Sequence, residues 1–121
     1  GGIPVVRDDD NNLVGVNGVV DKDLTAAMLA WEWGAQLLII PTAIDHVYLD
    51  YGTPASRPLA EITAAQAKDY MAQGQFKAGS MLPKIEAALD FLGQGGERVI
   101  ITSPENLARA VQDGSGTHIV P

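Results

Sequence analysis

The chain has 121 residues, 46% hydrophobic and 19% charged, with a formal net charge of −7 and no cysteine. That length suits one domain, and the composition argues against disorder. Only eight Lys and Arg in so acidic a chain argue against nucleic-acid binding, and the missing cysteine excludes a disulfide framework, a thiolate metal site and a cysteine nucleophile.

The opening "GGIPVV" has neither the basic start nor the long apolar core of a signal peptide. It also lacks a Met, so the expectation is that Gly1 is not a translation start and that the chain is a fragment or a processed product. No apolar run reaches the roughly 20 residues of a membrane span, so no membrane partner is expected. Ile3–Val6 is a short apolar run that reads as a buried strand. The segment "VVRDDDNNLVGVNGVV" reads as a β-hairpin with Asp8–Asn12 as its turn. Asp8, Asp9 and Asp10 are read as a solvated turn, because the spacing and closing Glu of a calcium loop are missing.

Leu24–Trp33 is the first predicted helix, with Leu24, Ala27, Met28 and Trp31 on one stripe and Gly34 as its stop. Trp31 and Trp33 are assigned to core or interface packing rather than to a stack on adenine. The run "LLIIPTAI" (37–44) reads as a buried strand whose ordered part ends near Ile40, since Pro41 interrupts a central strand. "DHVYLDYGTP" (45–54) gives a shorter strand and a Gly-Pro loop. Thr63 caps a helix from Ala64 to about Gln73, with Gln66 completing a capping box. After a loop at Gly74–Gly79, Ser80 takes the N-cap of a helix carrying Met81, Leu82, Ile85, Ala88, Leu89 and Leu92 on one face. This helix stops at "GQGG" (93–96). "RVIITS" (98–103) is another buried strand. Ser103 and Pro104 open a last helix that runs to about Asp113, and "THIVP" closes the chain as a strand. Strands alternating with helices predict an α/β fold with a mostly parallel sheet.

The common phosphate signatures GxxxxGK[ST] and GxGxxG are absent. His46 and His118 are isolated, no cluster has metal-ligand spacing, and no nucleophile elbow is present. What stands out is a pair of lysines at helix beginnings. Lys84 lies in a first turn, where the helix dipole is positive and a cation costs roughly 0.3–1 kcal/mol. Lys22 stands just before the Leu24 helix, beside Asp23. Two such lysines are either ordinary surface residues or two arms of one anion site, since phosphoryl transfer asks mainly for positioning and positive charge. An aspartate beside them would hold both ammonium groups in place.

The segments "VVDKDLTAAMLA", "TAIDHVYLDYGTP", "GQFKAGSMLPKIEAALDF" and "RVIITSPENLARAV…GTHIVP" resemble the C-terminal half of carbamate kinase, in the amino-acid kinase superfamily. The match runs in order over nearly the whole chain, and the 62-residue gap between Lys22 and Lys84 agrees with it. The resemblance implies a three-layer αβα sandwich on a mainly parallel sheet. The implied reaction is reversible phosphoryl transfer between ATP and carbamate, run mostly to make ATP from carbamoyl phosphate and ADP as in arginine catabolism. Mg²⁺ travels with the ATP or ADP. Lys22 and Lys84 then match the lysines that stabilise the transferring phosphoryl group, and Asp23 the aspartate that organises them. Thr42, Asp45 and Tyr48, with Gly79, Ser80 and Met81, would flank the nucleotide. For Tyr48 packing remains an equal alternative, and Asp45 has the alternative of capping a turn. A cytoplasmic location and a homodimer of the full-length form are also implied.

Some positions depart from the family pattern. Pro41 stands where Leu is common, Ala43 where an acidic residue is common, and Gln75–Gly79 replaces a more usual His-Phe-Ala-Pro-Gly. The family's N-terminal half supplies a glycine-rich phosphate loop, another lysine and most of the carbamoyl phosphate pocket. The expectation is therefore a single ATP/ADP-binding subdomain over 1–121, with the N-terminal substrate-binding half absent and an exposed apolar surface and sheet edge. The alternative is a non-catalytic truncated paralogue that binds nucleotide or protein. Acetylglutamate and aspartate kinases share the fold, but "GSMLPK" and "YGTP" favour the carbamate branch.

Overall fold

A computed structural model describes residues 2–121. Its centre is a four-stranded sheet built from β3 (Leu37–Pro41), β7 (Arg98–Thr102), β8 (Thr117–Val120) and β6 (Glu61–Thr63), in that order across the sheet. β3 and β7 are parallel, as are β6 and β8, while β7 and β8 are antiparallel. Two antiparallel pairs stand beside this sheet. One joins β1 (Val5–Arg7) to β2 (Leu13–Gly15), and the other joins β4 (Val47–Leu49) to β5 (Arg57–Leu59).

Strand side chains alternate between the two faces of a sheet. Leu38, Ile40, Val99, Ile101, Ile62 and Ile119 therefore share one face, and all belong to the main core. Helices α1 (Lys22–Glu32), α2 (Ala64–Ala72) and α3 (Met81–Gly93) cover that face with Ala27, Ala67, Ile85, Ala88 and Phe91. The opposite face carries Ile100 and His118, which are buried outside that cluster. Helix α4 (Leu107–Gln112) contributes the buried Ala110 and packs on β7. The result is the α/β layering expected, with helices on both faces of a mainly parallel sheet.

Local chemistry fixes where the helices begin and end. Asp21 caps α1, its Oδ1 accepting from the N–H groups of Asp23 (2.8 Å) and Leu24 (3.1 Å). The helix thus starts at Lys22, two residues earlier than predicted, because the aspartate before the lysine satisfies its first amides. Thr63 and Gln66 form the predicted capping box on α2. At its far end Gly74 adopts φ 72°, and the amides of Gly74 and Gln75 return to the carbonyls of Met71 (2.9 Å) and Tyr70 (3.0 Å). That is a Schellman stop, and only glycine takes this conformation cheaply. Helices α1 and α3 close with the same bonding pattern.

Several expectations need correction. The strand at Ile3–Val6 is not buried. The ordered part is Val5–Arg7, and every residue of the two hairpin strands is exposed. The stripe on α1 is only partly covered: Ala27 is buried, while Leu24, Met28 and Trp31 are exposed. Trp33 is 82% exposed and Trp31 is 46% exposed, so of the core and interface roles expected for the tryptophans only the core is excluded. Ser80 occupies the N-cap position of α3, but its hydroxyl caps no amide there and turns back to the Lys77 carbonyl at 3.5 Å. The last helix begins as a 3₁₀ turn over Pro104–Asn106 before α4, and Ser103 makes no side-chain cap.

The β4–β5 pair is tied to the main sheet by one buried residue. Thr117 Oγ1 donates to the Leu59 carbonyl and accepts from the Val47 N–H at 2.8 Å. Val47, Leu49 and Leu59 thereby reach the core. The loops at the ends of β3 and β4 come to lie near the beginnings of α1 and α3.

Candidate functional site

Helices α1 and α3 pack against each other, and both begin at the same end of the molecule. Their small buried residues, Ala27 on α1 and Ala87 and Ala88 on α3, permit close approach. The first turn of α1 carries Asp23 and the first turn of α3 carries Lys84. Lys84 Nζ donates to Asp23 Oδ2 at 2.8 Å, and their side chains are only 12% and 13% exposed. Lys22 Nζ lies 3.6 Å from the same oxygen but is 77% exposed. One carboxylate thus gathers two ammonium groups, one anchored and one free to move.

This geometry explains a lysine at the positive end of a helix. The first turn of α3 holds no acidic residue and no side-chain cap. Its compensating charge comes from α1. Asp21 is the fourth charged group at this junction. Its carboxyl is held below the usual carboxylate range, first by the Leu24 N–H, with desolvation opposing as the next largest effect and the Asp23 N–H and the nearby lysines adding to the lowering.

The pair opens onto a cavity of about 850 Å³. Of the residues singled out from sequence, Lys22, Asp23, Lys84, Thr42, Tyr48, Gly79, Ser80 and Met81 all line it. Thr42 follows β3 and is fixed by its N–H bond to the Thr102 carbonyl at 2.8 Å. Tyr48 is half-buried on β4, and its ring centroid lies 5.8 Å from that of Tyr51, at 56°. Both rings form part of the cavity wall. Burial, and after it the Asp45 carboxylate, raises the Tyr48 phenol above its ordinary pKa.

Asp45 does not line the cavity. It accepts from the Tyr48 hydroxyl at 3.4 Å and lies 3.4 Å from His46 Nδ1. Trp31 and Trp33 are also absent from the walls.

The cavity contains residues that sequence reasoning passed over. Asp21 belongs to it, and an Asp just before Lys22-Asp23 and an apolar run is itself an N-cap signal. Lys77 lies in its wall, with Asp50, Tyr51 and Thr53. Asp50 and Gln75 form a two-bond latch. The Asp50 N–H donates to Gln75 Oε1 at 2.8 Å, and Gln75 Nε2 donates to Asp50 Oδ1 at 3.2 Å. No local pattern announces that latch, because its partners are 25 residues apart. Among the described residues no group of three or more His, Asp or Glu gathers to hold a metal ion, and no helix is long and apolar enough to cross a membrane.

The chain is 48% identical to a carbamate kinase-like protein, YahI, of Escherichia coli over 99% of its own length and 38% of the relative's. It is 45% identical to a carbamate kinase of Halobacterium salinarum, over all of this chain and 39% of that one. Among solved structures, carbamate kinase from Giardia lamblia bound to AMP-PNP superposes with a TM-score of 0.92 at 36% identity, covering 99% of this chain and 38% of that one. The chain therefore spans about two fifths of the length of these relatives. A model of the amino acid kinase family matches residues 1–103, and the chain belongs to that family.

Proposed function

We propose that this chain supplies the nucleotide half-site of a carbamate kinase-like phosphotransferase, which moves a phosphoryl group reversibly between ATP and carbamate. The observation that carries this reading is the Lys84–Asp23–Lys22 cluster at the mouth of one cavity. The solved Giardia lamblia relative, bound to AMP-PNP, supports the same assignment.

The chemistry follows from the donors. A transferring phosphoryl group carries its charge on peripheral oxygens, and catalysis consists mostly of placing positive charge around them. Lys84 spends one of its three N–H bonds on Asp23 and keeps two for an incoming oxygen. Its position is set in advance, so little reorganisation accompanies binding. Lys22, exposed and loosely held, can swing toward the phosphoryl group while Asp23 limits its range. Thr42 and the turn at Gly79–Met81 would hold the nucleotide, and the Tyr48–Tyr51 wall offers a face for the base.

For magnesium, which the reaction implies, no group of three or more His, Asp or Glu gathers among the described residues. Asp21 is engaged in capping α1, Asp23 holds Lys84, and Asp50 holds Gln75. The ion belongs on the phosphate oxygens and their waters, as is usual for nucleotide-bound magnesium. The carbamate side of the reaction, a homodimer and a cytoplasmic location remain parts of the proposal for the whole protein.

A second reading rests on surface rather than cavity. Val5, Val6, Leu13 and Val14 on the hairpin and Leu24, Met28 and Trp31 on α1 are all exposed. In the first reading, the rest of a longer kinase fold covers this apolar surface. In the second, a truncated paralogue uses it to bind a partner without turnover. Calorimetric titration of Mg·ADP into the wild type and into Lys22→Ala tests the choice. The kinase reading expects saturable binding that the substitution weakens. A folded chain that binds no Mg·ADP favours the second.

A further inference from the structure

Three of the chain's four lysines, Lys22, Lys77 and Lys84, line one cavity in a protein whose net charge is −7. Lys22 and Lys84 share the Asp23 carboxylate. Lys77 differs. Among the described residues it has no carboxylate within ion-pair distance, although Asp50 lines the same cavity. The Asp50 carboxylate is turned to Gln75 instead.

The backbone places this lysine with care. The Lys77 carbonyl accepts from the Leu82 N–H at 3.1 Å and the Ser80 N–H at 3.3 Å, which fastens residue 77 against the start of α3. Two residues earlier, the Gln75–Asp50 latch fixes the same loop to the end of β4. Lys77 and Lys84 therefore stand on either side of one helix beginning that lacks an acidic residue or a cap. A lysine of the cavity wall with no ion-pair partner among the described residues, beside backbone of positive potential, suits an anion. Two cation positions separated by a turn suit an extended anion better than a single phosphate.

We propose that Lys77 is a third cation of the nucleotide site and that it selects a polyphosphate tail, binding the phosphate group that the Lys22–Lys84 cluster leaves uncovered. This rests on the reading of the cavity as a nucleotide site. Lys77 then discriminates nucleoside diphosphates and triphosphates from monophosphates.

The test is calorimetry of Mg·ADP and AMP with the wild type, Lys77→Ala, Lys77→Arg and Lys68→Ala. Lys68 is an exposed lysine of α2 outside the cavity. The expected result is an ADP affinity about five- to tenfold weaker in Lys77→Ala, with AMP unchanged, recovery in Lys77→Arg and no effect in Lys68→Ala. Equal ADP affinity in Lys77→Ala and the wild type overturns the assignment while leaving the nucleotide reading intact. So does an equal loss for AMP. If the wild type binds no ADP, titration with tripolyphosphate separates the two claims. Binding that depends on Lys77 upholds the cation site and discards the nucleotide, and the absence of such binding overturns both.

Discussion

Lys84 and Lys22 contact the same carboxylate, yet their removal should differ sharply. Replacing Lys84 with Ala strips the partner from Asp23, a carboxylate only 13% exposed. Leaving such a charge unpaired costs about 3–5 kcal/mol when no other group compensates. Lys22 stands 3.6 Å away and can move in, so a loss of about 3 kcal/mol is expected. Lys22→Ala removes an exposed partner and leaves the short pair intact, for a loss of at most about 1 kcal/mol. Urea unfolding followed by far-ultraviolet circular dichroism measures both. Tryptophan fluorescence is a poor probe here, because Trp31 and Trp33 are exposed in the folded chain. The combined variant Asp23→Asn/Lys84→Met should regain most of the stability lost in Lys84→Ala, since neither charge is then stranded. Equal small losses for the two single variants, or no recovery in the double variant, would refute the view that Lys84–Asp23 is a buried, coupled pair.

Two buried threonines should respond in opposite ways to the same change. Thr117→Val leaves the Val47 N–H and the Leu59 carbonyl without their partner and should cost about 1–3 kcal/mol, whereas Thr102→Val removes a buried hydroxyl that bonds to nothing and should be neutral or stabilising in the same urea assay. A methyl group at Gly96 would overlap the ring of Phe91, a core residue, so Gly96→Ala should lose about 1–3 kcal/mol through overpacking and lower the thermal midpoint. The depressed pKa of Asp21, below its ordinary 3.8, makes its ionised form a stabilising cap. That contribution is complete above the unfolded value and is lost as pH falls through the folded one. The stability advantage of the wild type over Asp21→Asn should therefore hold above about pH 5 and shrink as the pH falls below about 4, and an advantage that grows on acidification would contradict the sign.

Much of the fold was legible because its signals are local. The Thr63–Gln66 capping box, the Asp8–Asn12 turn and the glycines after α1, α2 and α3 each act within a few residues. The two strands β5 and β6 were not legible. Each has three residues, too few to show a period of two, and Pro58 argues against a strand except at an edge, which is where β5 lies. The burial of Ile3–Val6 was misjudged because apolar sequence reports what can be covered, not what this chain covers. At the site, Lys22, Asp23 and Lys84 could be named from helix starts and family resemblance. Lys77 and the Gln75–Asp50 latch could not, because loop geometry alone decides what faces the cavity.

The central claim is that nucleotide enters this cavity. Amide hydrogen exchange with and without Mg·ADP tests it most directly. The account predicts added protection at residues 21–25, at Thr42–Ile44 and across 77–84, with the β1–β2 hairpin and α4 unchanged. Protection confined to other elements, or none in a folded chain at saturating ADP, would contradict it.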